Sequence, residues 1–383
     1  MLAPSHAARP RTPRSELIAP PLSGGARVDV CIAGAGLAGL VAAYMLARDK
    51  RSVMVLEEGL LGGPEAPAEV AHLASRIEQP FATLERVHGA EGARLAAQSY
   101  AAAIDTLEAI VRREHIACDF ERLDGYRFAS PGDTRDDLEA EVEAAWRAGM
   151  TDVELVSEPP VEGGLPGPCV RYPAQAQLQP QKLATGLGRA IAREGGRVHC
   201  EVRAHSVESG RPSSLLTVAG HRIEADVIVM PSSPLAPPRI AHVLGVRVPR
   251  GSVTRAVYWE HTLDGTRFAR LRPGAALGEV LLVGGTADED GLADWARARF
   301  PRSSEILQRF SGEAPRATDL FAFVGEGRSA SDSVYLGASG WGTAMTRIAI
   351  AGMAIRDFVE AAHSASPADP GPSACYTVGE ASL

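Results

Sequence analysis

The spacing of apolar positions changes several times along the chain, and each change marks an element. From Val28 to Ala33 the residues are mostly β-branched or small and apolar, which reads as a strand. Three glycines follow, and Leu37 to Asp49 then carries helical spacing with small residues at its start. Ser52 to Leu56 is a second strand, so the segment forms a βαβ unit of about thirty residues, the length a parallel crossover requires. Gln79 to Arg113 repeats apolar residues at helical spacing through Leu84, Val87, Leu95, Ile104, Leu107 and Val111. Gly89 and Gly92 interrupt it, so two helices are predicted.

A strand at Tyr126 to Ala129, a helix at Arg135 to Arg147 and a Pro/Gly-rich connection at Glu158 to Pro173 come next. Gln181 to Glu194 is helical. Strands at Arg197 to Val202, Leu215 to Val218 and Val227 to Met230 restore the α/β alternation of the opening segment. Between Arg239 and Phe310, short strands at Ala256 to Trp259, Arg267 to Leu271 and Val280 to Val283 predict an antiparallel, substrate-side sheet. The final pattern is a strand at Val334 to Leu336, a Gly-rich turn and a helix from about Thr343 to Ala362.

Composition narrows the class. Of 383 residues, 45% are apolar and 22% charged, the profile of a globular α/β chain with room for two domains or one interleaved body. A net charge of -8 argues against a nucleic-acid footprint, and the arginines read as solvated surface. Cys31, Cys118, Cys169, Cys200 and Cys375 stand singly, without the spacing that holds zinc or an iron-sulfur cluster, so no metal is expected. Cys31 and Cys200 fall within predicted strands and read as small core residues. Residues 1–24 lack a continuous apolar run and read as a flexible arm without a secretory signal, and residues 365–383 as a loose tail. Val30 to Ala47 is about as long as a membrane span, but its glycines punctuate it as a nucleotide loop does. A cytoplasmic protein with no membrane span is expected.

The chemistry starts at Gly34-Ala35-Gly36-Leu37-Ala38-Gly39. In such a turn the first glycine bends tightly, the second lets backbone approach a pyrophosphate, and the third packs helix on strand. The helix N-terminus then offers free N–H groups and a positive dipole end to that anion. Glu57 closes the second strand, where a carboxylate accepts hydrogen bonds from ribose hydroxyls, with Glu58 as the second candidate. An acid there disfavours the 2′-phosphate of NADP by charge repulsion and leaves FAD and NAD open.

The N-terminal unit is followed by Ala71-His72-Leu73, Leu84-Glu85-Arg86-Val87-His88-Gly89 and Glu91-Gly92-Ala93-Arg94-Leu95-Ala96. Further on stand Cys118-Asp119-Phe120-Glu121-Arg122 with Asp124-Gly125-Tyr126, then Val248 to Val253 and Ala256 to Trp259. Over residues 24–362 this resembles the bacterial FAD-dependent oxidoreductases of the D-amino-acid oxidase, glycine oxidase and sarcosine oxidase superfamily, many of which carry a Rieske module. The cysteine spacing here builds no such module.

The resemblance implies an α/β fold in which a glutathione-reductase-like, Rossmann-type FAD domain is interleaved with an antiparallel-sheet substrate domain. Residues 25–85, 174–238 and 316–364 would form the first, and 86–173 and 239–315 the second. It implies FAD contacts from Gly34, Ala35, Gly36, Leu37, Ala38, Gly39, Glu57, Glu58, Ala71, His72, Leu73, Ala204, Gly340 and Gly342. The sequence departs from the family at Gly63 to Glu69 and at Ser339-Gly340-Trp341-Gly342-Thr343-Ala344, where the usual aspartate is absent, and the stretch from Pro231 to Val248 is shorter.

His72, Trp341 and Arg270 are the candidates for catalytic roles. An arginine on a substrate sheet can grip a carboxylate, although a solvated surface arginine is its default reading. Tyr258 and Trp259 fall on the same sheet, and the remaining histidines show no ligand-like spacing. The implied activity is oxidation of a C–N bond of a small amine or amino acid, or action on an imine, by hydride transfer to flavin. The electron acceptor is unspecified, and homo-oligomerisation is compatible with the sequence. The alternative is a degenerate flavoprotein that binds or assembles without turnover.

Overall fold

The computed structural model describes residues 22–59, 61, 72–74, 80–208, 210, 212–231, 239–262, 265–272, 279–314, 323–326, 333–337 and 344–364. In chain order the elements begin with β1 (Ala26–Ala33), α1 (Leu37–Arg48), β2 (Val53–Leu56), β3 (His72–Leu73) and α2 (Phe81–Arg113). They continue with β4 (Glu121–Phe128), α3 (Arg135–Arg147), β5 (Glu154–Val156), β6 (Cys169–Gln177), α4 (Pro180–Arg193), β7 (Arg197–His199), β8 (Ala204–Glu208) and β9 (Ser213–Thr217). Then come β10 (Arg222–Pro231), β11 (Arg239–Val248), β12 (Ala256–Thr262), β13 (Gly265–Arg272), β14 (Glu279–Gly285) and α5 (Glu289–Arg299). The last are β15 (Ile306–Ala314), β16 (Phe323–Glu326), β17 (Ser333–Gly337) and α6 (Ala344–Ser364).

The first sheet runs β16-β17-β10-β1-β2-β7, with β9 and β8 continuing from the first half of β10. Its centre is parallel: β10 with β17, β10 with β1, β1 with β2 and β2 with β7. Such strands are buried on both faces, so β1 and β2 are apolar at nearly every position rather than at every second one. One face, through Val30, Ile32, Val53, Val55, Val227 and Val229, packs under α1, α4 and α6. The other, through Val28, Cys31, Ala33, Met54, Leu56 and Ile228, forms a separate cluster with Leu215 of β9. Because the central strands are parallel, the C-terminal ends of β1, β2, β10 and β17 share one edge, where ligands of open α/β sheets bind.

The second sheet runs β15-β11-β14-β13-β12-β4-β6-β3, with β5 also on β6. Leu244, Tyr258, Leu271 and Leu281 point to one face, beneath Leu292 and Trp295 of α5. Val243, Trp259, Phe268 and Leu282 point to the other, which α2 and α3 partly cover. Strand alternation thus divides the sheet into a closed face and a face that meets the rest of the molecule. A buried carboxylate ties the helices down: Glu141 accepts from the backbone N–H of Phe81 at 2.9 Å and of Ala82 at 3.1 Å, and from the Tyr172 hydroxyl.

Several expectations need correction. The connection over Glu158 to Pro173 ends earlier, because β6 begins at Cys169. Pro173 is accommodated at a bulge: residues 173 and 174 together oppose one residue of β4, and Ala174 takes φ 59°. The helix at Gln79 to Arg113 does break in two, at Gly89 (φ 72°, ψ 170°), whereas Gly92 is helical. Cys200 lies just past β7, half-buried and outside any strand. The second sheet is not purely antiparallel, since β12 and β4 pair in parallel. The pattern does not predict β11, α5 or β15; α5 is short and acidic at its start, and β15 (ILQRFSGEA) lacks a regular apolar alternation.

Candidate cofactor and substrate site

The turn after β1 is built as its glycines require, each for a different reason. Gly34 sits at φ 104°, where an L side chain is strained, and its N–H donates to Leu56 O at 2.6 Å. At Gly39 a Cβ would lie 2.5 Å from Gly34 O and 3.2 Å from Ile32 Cγ2, so only glycine lets α1 lie this close to β1. Gly36 differs. Its backbone (φ -57°, ψ 159°) suits any residue, and an added Cβ would meet nothing within 4 Å. Neither conformation nor protein packing asks for glycine there, whereas close approach of a pyrophosphate does. No side chain caps the N-terminus of α1, whose first turn carries no acidic residue, so its dipole faces that point.

Glu57 folds back onto this turn. Its Oε2 accepts from the Ala35 N–H at 2.6 Å and its Oε1 from the Gly59 N–H at 2.9 Å, which fixes a carboxylate beside the glycines. Backbone bonds from Glu57 N to His199 O and from Val202 N to Glu57 O, both 2.8 Å, hold the strand end in place. Glu58 points the other way: its side chain is 67% exposed and lies 3.4 Å from Arg203. Ala204 begins β8, packed with Val202 against the cluster containing Met54 and Leu56. These groups suit the pyrophosphate and ribose of a dinucleotide.

A buried polar junction lies where β3 meets β6. His72 is buried opposite Gln177 in the ladder, and its ring lies 5.2 Å from that of Phe268. Arg270 is 3% exposed, and its Nη1 donates to Gln177 Oε1 at 2.8 Å. The surface arginine expected at this position is therefore wrong: strand alternation puts Arg270 on the inward face with Phe268. Gln177 Nε2 donates in turn to Glu121 Oε2 at 2.7 Å, and Arg255 grips both oxygens of Glu121, at 3.1 and 2.6 Å. The hydrogen bond from Arg255 holds the Glu121 carboxyl below the usual carboxylate range. Two residues beyond Arg270, Arg272 Nη1 donates to Gln308 Oε1 at 2.9 Å. On the other side α6 reaches in, with Thr346 Oγ1 accepting from the Ala74 N–H at 2.9 Å.

The structure thus brings together His72 and Arg270 through Gln177, with the glycine turn and Glu57 forming a separate constellation at the end of the first sheet. Ala71, Gly340, Trp341 and Gly342, with the altered 63–69 and most of the altered 339–344 segment, lie outside the described residues. Tyr258 and Trp259 face opposite ways: Tyr258 belongs to the core under α5, its hydroxyl donating to Thr254 O at 2.9 Å, and Trp259 to the inward face. Gln177, Glu121, Phe268 and Arg272 were not anticipated. The Gln175-Ala176-Gln177 alternation could have marked an inward polar face, but Pro173 just before it disguised the strand. Among the described residues no cluster of His, Cys, Asp or Glu could hold a metal, and no helix is long and apolar enough to cross a membrane.

The chain is 26% identical over 211 residues to YhfW of Bacillus subtilis (strain 168), provisionally described as a Rieske 2Fe-2S iron-sulfur protein, covering 55% of this chain and 41% of that protein. It is 25% identical over 207 residues to gamma-glutamylputrescine oxidoreductase of Escherichia coli (strain K12), covering 52% and 48%. The match therefore spans less than half the length of either relative. In fold, the chain is similar to glycine oxidase from Geobacillus kaustophilus, with a TM-score of 0.69 at 20% identity over 87% of this chain and 95% of that one. The sequence pattern of one family, described as DAO, FAD dependent oxidoreductase, matches residues 29–357. With that match over most of its length and a glycine turn shaped for a dinucleotide, the chain belongs to the FAD dependent oxidoreductase family, and its cofactor is FAD.

Proposed function

We propose that the chain oxidises a C–N bond of a small amine or amino acid. The observation that carries this reading is the buried junction of His72, Gln177, Phe268 and Arg270, set on the inward face of the second sheet in a family whose cofactor is FAD. In this reading Gly34 to Gly39 and Glu57 hold the pyrophosphate and ribose, and Ala204 lies against the adenine. The stretch 71–73, with Gly340 and Gly342, flanks the flavin. The FAD domain is drawn from 25–85, 174–238 and 316–364, and β3 and β6 form its seam with the substrate domain. When bound, the flavin supplies an acceptor for the hydride leaving the substrate carbon.

The protein's own contribution is placement. Arg270 offers a rigid, charged fork to a substrate carboxylate, oriented by Gln177 without a second charge from that partner. Phe268 provides an apolar wall, and burial of the junction excludes water, which strengthens every polar contact made there. His72 stands beside that wall, where its ring can orient the substrate.

The test is anaerobic mixing of the FAD-loaded protein with a panel of amines and amino acids while the visible flavin band is followed. Bleaching by one class names the substrate. A flavin that none of them bleaches would contradict turnover and favour the reading as a binding protein.

A further inference from the structure

We propose that Glu121, braced by Arg255, is a positioning residue for substrate binding: it locks the Gln177 amide in the one orientation that presents its carbonyl oxygen to Arg270. This rests on the reading above, in which Arg270 grips a substrate carboxylate.

Strand register brings the groups together. Gln177 of β6 stands directly opposite Glu121 of β4 on one side and His72 of β3 on the other, and residues opposed in an antiparallel ladder share a face. Arg255 comes just before β12, whose first residue pairs with Asp124 of β4, so its side chain reaches back to Glu121. The result is a chain of contacts running from surface to interior. The side chains of Arg255 and Glu121 are 42% and 38% exposed, whereas Gln177 and Arg270 are buried. An ion pair this exposed adds little to folding, so stability does not account for it.

A primary amide has two ends of nearly the same shape, one a donor and one an acceptor, and its neighbours decide which way round it sits. Here both neighbours agree. An ionised carboxylate only accepts, so Glu121 takes the Nε2 hydrogen at 2.7 Å; a guanidinium only donates, so Arg270 Nη1 gives its hydrogen to Oε1 at 2.8 Å. With the amide reversed, oxygen would face carboxylate and N–H would face guanidinium. Glu121 has this effect only while ionised. The hydrogen bonds from Arg255 Nε and Nη2, at 3.1 and 2.6 Å, hold its carboxyl below the usual carboxylate range. A charged acceptor also polarises the amide and strengthens its carbonyl as a partner for Arg270.

The experiment measures propionate binding to the FAD-loaded protein by titration calorimetry, with the melting temperature of each variant as the control for folding. Glu121→Ala is expected to weaken propionate about 10-fold, and Glu121→Gln, which keeps an uncharged acceptor, by clearly less. Gln177→Leu should weaken it as well, and adding Glu121→Ala to Gln177→Leu should cost nothing more, because residues that act through one contact are not additive. Arg255→Ala leaves every buried group in place, and a loss of about 3-fold is expected from it, which decides the matter if Glu121→Ala fails to fold. Affinity that Arg270→Gln weakens but Glu121→Ala and Arg255→Ala leave unchanged would overturn the proposal, as would equal losses from Glu121→Ala with and without Gln177. Wild-type protein that does not bind propionate, or affinity that Arg270→Gln leaves unchanged, would instead overturn the reading on which it rests.

Discussion

Single residues carry the cofactor argument, because the three glycines of the turn are glycine for three different reasons. At Gly39 the obstacle is protein, 2.5 Å away, so Gly39→Val should cost about 1–3 kcal/mol of stability and lower the melting temperature even without cofactor. At Glu57 the carboxylate organises two backbone N–H groups. Glu57→Ala leaves both without that acceptor and should weaken FAD retention by about 10-fold or more, measured as flavin lost on dilution and filtration. The glycines and Glu57 were legible in the sequence because motif and spacing are local. Arg270 was legible as a residue but not in its setting: its burial depends on which way β13 faces, and its partner Gln177 is 93 positions away in the chain.

Elements were legible where their pattern was long and regular. The helix over Arg135–Arg147 matches its expected bounds, helped by a capping box in which Thr134 and Asp137 bind each other's backbone N–H groups. The break in α2 was foreseeable from Gly89, whose positive φ no other residue adopts easily. The long-range ties that hold an element were not foreseeable even where the element was. The start of α2, expected at Gln79 and found at Phe81, is one such case, since Glu141 of α3 binds it. Glu141→Ala would strand the N–H groups of Phe81 and Ala82 and the Tyr172 hydroxyl, at a cost of about 3 kcal/mol, and urea unfolding with an unchanged m-value would register it.

A second tie joins α1 to the end of α2. The Tyr44 hydroxyl donates to Glu114 at 2.6 Å, and burial, then that hydrogen bond, push the Tyr44 pKa from 10.0 up to about 12. The folded state thus holds this proton more tightly than the unfolded chain does. The stabilisation is complete below pH 10 and is lost as the pH rises through 12. Melting temperature should fall over that window in the wild type and fall less steeply in Tyr44→Phe.

At the scale of the molecule, two sheets and the helices between them bring distant stretches to a shared edge. The parallel centre of the first sheet was legible from β1, α1 and β2, since a thirty-residue βαβ unit leaves few alternatives. The second sheet was only partly legible. Its strands read as strands, but their order arises from pairings between strands that are not consecutive in the chain, and the parallel pairing of β12 with β4 joins residues more than a hundred positions apart. The same long-range assembly puts His72, Gln177, Phe268 and Arg270 in one place.

In the proposed reading the edge of the first sheet holds FAD at the Gly34–Gly39 turn, and Gly36 is the residue that tests this placement alone. An added Cβ at Gly36 meets nothing within 4 Å and needs no unusual backbone, so Gly36→Val should fold as the wild type does. The measurement is FAD binding to the apoproteins by titration calorimetry, with melting temperature as the control for folding. One FAD per chain is expected in the wild type and at least about 100-fold weaker binding in Gly36→Val, with both apoproteins melting alike. Equal FAD affinity in the two would contradict the placement of the cofactor at this turn.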